Sequence, residues 1–582
     1  MHPKLRHRLG LLLVFAPLGL QALFVHALGV NTLLGDEFLY TGFIREVLEG
    51  KSWLHWLWAQ HNEHRVIPMK LAMALLAPWT RWSTVAEMYV SVALAGLVVW
   101  GLWRLYREHG GGDLVLFAPV AWLVCSLAQF HNMFYGMMMC HYFTLVGVVW
   151  ALVFLSRRGA AALTAAVFCG LLAELSIANG LLVWPAGLAL LLVRGEPRVR
   201  TLSWSAASLV ASAAYFFHFR LPATTPMPAF DPLSLYRLVS YAVATLGAPL
   251  GAGSIDWCRA AGLAALLLTG GAVWRWRRGG REALRQGAPW GALILFSLLS
   301  CAMIAVGRVS YTVPPFESRY IAYSSFVWIG LWLALAPRPG SALEEPEERA
   351  SGSWRAGLAA LLIPGLLAAD LWGFREARRW TSLLRREQFL LQTFDSQTDE
   401  ALGSFYAIVS VPELREQMAY LRSARLGPFS EPRDLLLLTR WREGSAAAEV
   451  LPGRPLEQRF TCPVATLWEA GIVTTTFGRQ NTGTLDLSLW DGPRRLGRRT
   501  VPAASLVDWA WLSLPLTAPL ARCQGRELTL RLESADSSPG NAVSAYTYPA
   551  HVHGEIMQAG APAFAGRSLG LELNAFHFGV LE

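Results

Sequence analysis

Apolar runs of bilayer length, repeated from residue 9 to residue 371, constrain this chain more than any other feature. Residues 9–30, 85–105, 114–130 and 136–155 each approach the roughly 20 residues that cross a hydrocarbon core. In lipid, such a run satisfies its own backbone only as a helix. Further runs follow at 160–178, 181–193, 202–217, 260–274, 290–306, 321–336 and 358–371. Loop charge and run length together predict about eleven spans. The composition agrees: 54% of the 582 residues are hydrophobic and 16% charged, against about 25% charged in ordinary globular domains. The net charge of +9 does not form a nucleic-acid stripe. Its arginines fall in short clusters between runs, such as Arg157-Arg158 and Arg275, Arg277, Arg278 and Arg281, which marks cytoplasmic span ends. No nucleic-acid partner is expected.

The basic residues 1–8 place the N-terminus in the cytoplasm, and the first run, too long for a signal peptide, is a retained anchor. Asp36 and Glu37 then emerge on the outer side. Residues 38–58 mix Trp, apolar and charged residues at helical spacing and predict one amphipathic helix in the interface; 69–79 predicts a second. A proline-rich outer loop holds Pro222, Pro226, Pro228 and Pro232. Residues 238–249 stay in the outer interface, and the acidic residues Glu344 to Glu348 are cytoplasmic.

An odd number of spans leaves everything after Trp372 outside. Residues 374–394 predict an Arg-rich amphipathic helix, with further helical patterns to about residue 426. From residue 451 the period becomes two, as in Thr484-Leu485-Asp486-Leu487-Ser488-Leu489 and Leu528-Thr529-Leu530-Arg531-Leu532. Asp491-Gly492 and Pro539-Gly540-Asn541 supply turns. The expected fold is an α-helical polytopic membrane domain (1–372), a helical connector (373–450) and an extracytoplasmic, jelly-roll-like β-sandwich (451–582). The expected location is the cytoplasmic (inner) membrane, with the C-terminal domain in the periplasm or its equivalent. The seven cysteines contain no Cys-x-x-Cys pair. Cys462 and Cys523 are either a disulfide of an oxidising compartment or two buried thiols.

This topology gathers the unusual polar residues on the outer side: Asp36, Glu37, His61, Glu63, His64, Arg65, His131, Asn132, His141, Asn179, Arg308, Glu317 and Arg319. A carboxylate at a partly dehydrated interface has the raised pKa that suits a general base. Arginine grips phosphate through paired donors. Structural readings stand beside these. Asp36-Glu37 also suits the start of the helix that follows. His61, Glu63 and His64 lack the His-Glu-x-x-His spacing of a zinc site. His131 and His141 stand alone in sequence, as packing histidines do. Arg308 and Arg319 suit snorkelling span ends, although the positive-inside rule disfavours arginines there.

An acidic pair after the first span, an interfacial-helix loop and a polytopic body with an external C-terminal domain resemble the GT-C superfamily of membrane glycosyltransferases. That group includes the protein mannosyltransferases and the aminoarabinose transferases of lipid A. The resemblance covers about residues 1–372. Asp36-Glu37 matches the acidic element of the first external loop, a base or metal ligand in those families. Glu63, in Asn62-Glu63-His64-Arg65-Val66-Ile67-Pro68, matches the second acid before a proline, with His64-Arg65 in place of the usual Lys-Pro. Where the next external loop often carries Asp, this chain has His131 and Asn132. Arg308 and Ser318-Arg319-Tyr320 are similar to the late external arginines near the lipid phosphate. The resemblance implies sugar transfer, inverting, from a polyprenyl-phosphate-linked donor to a glycan, lipid or protein acceptor. Asp36, Glu37 and Glu63 would be catalytic; His61, His64, Arg65, His131, Asn132, Arg308, Arg319 and Tyr320 would bind substrate; Asp36 and Glu63 would hold any divalent metal. A lipid-linked-saccharide transporter would show repeated halves and midplane charges, and this chain shows neither. A membrane anchor displaying the β-domain would not explain Asp36, Glu63 and Arg319 on one side.

Overall fold

The computed structural model describes residues 2–221, 231–311, 313–335, 345–392, 409–430, 445–462, 466–506, 511–549, 554–563, 567–569 and 571–574, with single positions at 394, 399, 402 and 508. Pro222, Pro226, Pro228 and Glu344 lie outside the described residues. The chain forms two compact units. One comprises Met1–Gly29, Phe43–Thr80 and Thr84–Ala377; the other comprises Val30–Gly42, Arg81–Ser83 and Arg378–Glu582.

The first unit is helical. Among the described residues, seven helices are long and apolar enough to cross a membrane: Pro3–Leu28, Thr84–Glu108, Leu114–Phe134, Gly136–Leu155, Ile255–Arg278, Gly280–Arg308 and Ala356–Thr381. We number the helices α1 (Pro3–Leu28), α2 (Thr41–Leu48), α3 (Leu54–Trp58), α4 (Ile67–Thr80), α5 (Thr84–Glu108), α6 (Leu114–Val124), α7 (Phe130–Phe134), α8 (Met139–Leu155), α9 (Ala160–Glu174), α10 (Val183–Arg194), α11 (Arg198–Phe216), α12 (Pro232–Gly247), α13 (Ile255–Arg278), α14 (Gly280–Arg308), α15 (Ile321–Ala334), α16 (Glu345–Gln392) and α17 (Val411–Ala424). The about eleven expected spans thus resolve into seven of full length and several shorter apolar helices, α9 and α10 among them. Most of α8 and α15 is buried within the bundle, including Trp328 and Tyr323. Glycine lets α12 and α13 approach closely. A Cβ on Gly247 would sit 1.9 Å from the Cys258 carbonyl oxygen, and one on Gly262 would sit 1.9 Å from that of Val243.

Two expected elements are corrected. Residues 38–58 are not one interfacial helix but a 3-10 turn (Gly35–Tyr40) followed by α2 and α3. Gly50, at φ +67°, ends the first helix in a conformation that costs glycine little. The last expected span and the amphipathic segment after it are one continuous 48-residue helix, α16. The division between units falls within it, between Ala377 and Arg378.

The second unit ties the short Val30–Gly42 segment to the α17 region. Asn31 Nδ2 donates to the Gly427 carbonyl (2.8 Å) and to Ser430 Oγ (2.9 Å), and Gln388 Nε2 donates to the Asn31 carbonyl (3.1 Å). The rest is a β-sandwich. Its strands are β1 (Ser445–Ala446), β2 (Leu456–Thr461), β3 (Thr466–Thr475), β4 (Thr484–Asp491), β5 (Arg494–Pro502), β6 (Trp511–Ala521), β7 (Glu527–Glu533), β8 (Ser544–Pro549), β9 (Gly554–Gln558), β10 (Ala561–Ala563), β11 (Arg567–Leu569) and β12 (Leu571–Asn574). One sheet runs β10-β9-β2-β7-β4-β5; the other runs β1-β8-β3-β12, with β11 on β8 and β6 on β3. The period-two pattern explains the core. Leu485, Leu487 and Leu489 of β4 and Leu528, Leu530 and Leu532 of β7 all point inward, with Leu487 opposite Leu532. Burying each such leucine contributes about 1.5–3 kcal/mol. Cys462 and Cys523 are disulfide-bonded, their Cα atoms 5.8 Å apart.

Candidate active site

The polar residues of the helical unit converge at one end of the bundle, where three loops meet. The first is the turn His61-Asn62-Glu63-His64, closed by reciprocal backbone hydrogen bonds between His61 and His64 at 2.9 and 2.8 Å. Asn62 takes the left-handed conformation there (φ +46°), which asparagine tolerates better than most residues. Tyr215 of α11 donates its hydroxyl to the Glu63 carbonyl at 3.1 Å, holding the turn against the bundle.

Arg308, the last residue of α14, brings the second loop to this turn. Its cation also suits a helix C-terminus. Its guanidinium lies 3.6 Å from Glu63 Oε1, and its Nε donates to the Tyr320 hydroxyl at 2.8 Å. The loop after Arg308 returns through Glu317 and a 3-10 turn, Ser318–Tyr320, into α15. There the Arg319 guanidinium stands 3.9 Å from Glu317 Oε1 and 5.2 Å above the Tyr320 ring.

Helix α7 supplies the third side. His131 Nδ1 lies 2.7 Å from Glu317 Oε1, its backbone N–H donates to Ser318 Oγ at 3.0 Å, and Asn132 Nδ2 donates to the Arg319 carbonyl at 3.2 Å. Deeper in, His141 Nδ1 lies 2.8 Å from the Tyr323 hydroxyl. Glu63, His64, His131, Asn132, Arg308, Arg319 and Tyr320 therefore form one connected network, and the sequence-isolated His131 is part of it.

Electrostatics give these groups distinct states. Burial alone would raise the Glu317 carboxyl, but the His131 hydrogen bond and the charges of His131 and Arg319 outweigh it and hold the group low. Burial pushes the His64 imidazole down to about 4, against the pull of Glu63 and with help from His61 and Arg308. His64 Nδ1 accepts the Ala178 N–H at 3.3 Å, which leaves the proton of the neutral ring on Nε2, 4.0 Å from Glu63 Oε2. Two polar atoms at the centre stay unmatched among the described residues. Nε of Arg319 has no hydrogen-bond acceptor, and Oδ1 of the fully buried Asn132 has no donor.

Arg65, expected beside a phosphate, is turned elsewhere. It is 2% exposed, and its guanidinium donates to the carbonyls of Tyr215 (3.1 Å), Phe217 (2.6 Å) and Trp58. Those are orphan carbonyls at the ends of α11 and α3, which a buried cation satisfies well. Lys70 does the same for Trp56 and Ala59, at 2.8 and 2.6 Å. His61 is also buried, within its turn. Asp36 and Glu37 belong to the second unit. Glu37 is 1% exposed and accepts the Leu34 N–H at 3.0 Å, capping its own 3-10 turn; Asp36 is half-buried on the same turn. Glu317 was visible in sequence as an outer-side residue but carried no signal of a role. Its place two residues before Arg319 was the only hint.

Among the described residues, no three His, Cys, Asp or Glu side chains converge as a metal-binding group. Glu63 and Glu317 each already face an arginine, so no step is assigned to a divalent ion.

No protein-family model matches the chain, and no curated protein matches it. Among solved structures, the cryo-EM structure of arabinosyltransferase EmbB from Mycobacterium smegmatis aligns with a TM-score of 0.33 at 12% identity. The alignment covers 96% of this chain and 64% of the EmbB chain, so the present chain spans less than two-thirds of that protein's length.

Proposed function

We propose that the chain is a membrane glycosyltransferase of the GT-C type, moving a sugar from a polyprenyl-phosphate-linked donor to an envelope glycan, lipid or protein. One observation carries this reading. At one end of an apolar helical bundle, Arg308 and Arg319 stand beside Glu63 and Glu317, and two buried atoms of this network, Arg319 Nε and Asn132 Oδ1, make no hydrogen bond, although Arg319 Nε stands 3.9 Å from Glu317 Oε1. Buried atoms without a hydrogen bond occur elsewhere in the chain too, Ser91 Oγ and Trp290 Nε1 among them; the Arg319 and Asn132 atoms differ in lying where two arginines gather, and a ligand there would complete them. A phosphodiester joining a polyprenyl chain to a sugar offers oxygens to Arg319 Nε and hydroxyls to Asn132 Oδ1.

In the proposed reaction the acceptor hydroxyl oxygen attacks the anomeric carbon as the bond from that carbon to the phosphate oxygen breaks. The hydroxyl proton passes to a carboxylate; on the sequence resemblance alone we assign that role to Asp36, since Glu37 caps its own turn. The electron pair leaves with the polyprenyl phosphate, whose added charge Arg308 and Arg319 stabilise. Direct displacement inverts the anomeric centre. Glu63 holds Arg308 for this task, His64 anchors the His61–His64 turn through the Ala178 N–H, and Glu317 ties the loop after α14 to His131. Transfer on the outer face agrees with the Cys462–Cys523 bond, because disulfides persist in oxidising compartments.

The test is turnover by the purified full chain on a panel of polyprenyl-phosphate sugars. Asp36→Asn is expected to lower kcat by about 10²–10⁴, the usual worth of a general base. Arg308→Gln is expected to cost about 10²–10³, the worth of one donor to a developing anion. Turnover by wild type with Asp36→Asn equally active removes Asp36 as the base. Absence of turnover across the panel, with the lipid phosphate not bound, removes the whole reading.

A further inference from the structure

At the end of the bundle opposite Arg308, helices α13, α15 and α16 leave an open apolar groove. Helix α14 has 29 residues and, at 1.5 Å per residue, separates the two ends by about 43 Å. Leu268, Gly271 and Ala272 of α13 form one wall, Leu331 and Leu335 a second, and Leu358 of α16 a third; the space between them, its open side included, is about 440 Å³. The charged member of the lining is Arg275, in the last turn of α13. Around it the chain crowds Arg277, Arg278, Arg281 and Arg285, with Glu282 as the acidic residue of that stretch. Arg278 is stacked 4.0 Å over Trp274, and Glu282 receives a hydrogen bond from Gln286. None of the five arginines has an ion-pair partner among the described residues.

The positive-inside rule accounts for arginines at a span end, but not for an apolar slot running along the bundle to one of them. An apolar slot facing lipid is filled by hydrocarbon, and a guanidinium at its end, left without a carboxylate, attracts an anion. Both demands are met by one molecule. Basic pockets between membrane helices are recognised sites for anionic head groups. We propose that this groove binds an anionic phospholipid, with one acyl chain between α13, α15 and α16 and its phosphate on Arg275. The neighbouring arginines supply the field that selects a net negative head group over a zwitterionic one. The proposal is independent of the reaction at the other end of the molecule.

Native mass spectrometry of the detergent-purified full chain, titrated with phosphatidylglycerol or with phosphatidylcholine of the same acyl chains, tests it. One tightly retained phosphatidylglycerol is expected, held in preference to phosphatidylcholine. Arg275→Gln is expected to weaken its retention about fivefold, the worth of one arginine near anionic lipid. Gly271→Leu, which fills the slot and keeps every charge, is expected to weaken retention of both lipids. Arg198→Gln, a basic residue at the start of α11 and outside the groove, is expected to change nothing. Equal retention of the two lipids overturns the proposal. So does wild-type retention by Arg275→Gln and Gly271→Leu, or a loss in Arg198→Gln as large as that in Arg275→Gln.

Discussion

Nδ1 of His131 lies 2.7 Å from Oε1 of Glu317, across 186 positions of sequence. That contact closes the loop between α14 and α15 onto α7. Removing one partner strands the other in a largely buried site, which costs more than the pair is worth. Glu317→Gln is expected to lower stability by about 1–3 kcal/mol. His131→Gln in the same background is expected to add much less than it does alone. A double-mutant cycle on thermal unfolding in detergent measures this, and a coupling below about 0.5 kcal/mol would mean the two residues act independently.

Acidification should loosen the site through His64. Its folded imidazole is held near 4, below its ordinary value of 6.5. A histidine kept neutral by the fold contributes its stability in full above the unfolded value and loses it as the pH falls from about 6.5 towards 4. The shift corresponds to at most on the order of 3 kcal/mol. Glu63, His61 and Arg308 face the same ring, so the comparison is with His64→Gln, which cannot charge. Wild type is expected to lose more of its melting temperature than the variant between pH 7.5 and pH 5. Parallel curves would assign the acid sensitivity to another group. Glu317, held low, adds a second loss at lower pH, as its carboxyl is protonated.

Close approach of α12 and α13 depends on having no side chain at Gly247. The 1.9 Å separation between a Cβ there and the Cys258 carbonyl oxygen cannot be relieved by a rotamer change, because the obstacle is backbone. Gly247→Ala is expected to splay the hairpin at a cost of about 1–3 kcal/mol. Gly270→Ala, where a Cβ meets nothing within 4 Å, is the matched control and should be neutral or slightly stabilising, given alanine's better helix propensity. Equal melting temperatures for the two variants would contradict the packing described.

The sandwich should depend on its cross-link. Cys462 and Cys523 are 61 residues apart, and losing a native disulfide from a small domain costs about 2–5 kcal/mol. Paired Cys462→Ser and Cys523→Ser substitutions are expected to lower the unfolding transition of the β-domain. Intact-mass measurement with and without reductant, followed by thiol alkylation, reads the bond directly; two alkylatable thiols in the unreduced protein would show it is absent.

Much of the architecture could be read from the chain alone. Runs of apolar residues and their flanking arginines are local signals, because a bilayer imposes the same length on every helix that crosses it. They placed α5 and α8 within about three residues at each end, whereas α1, α13 and α14 begin five to ten residues before their apolar runs, because the helices continue into polar sequence. The strict alternation in β4 and β7 likewise follows from the two-residue period of a strand, and so the sandwich was legible. What local pattern could not supply was the end of α2 at Gly50 or the continuity of α16 through residue 372, where packing overrode a change in composition. Nor could it distinguish cations by use. Arg65 and Arg308 look alike in sequence, and only the fold sets one against three carbonyls and the other against Glu63. His131 and Glu317 illustrate the same limit. Each is an ordinary polar residue until α14 and α15 return the chain to α7, because a hydrogen bond reads distance in space while sequence records only separation along the chain.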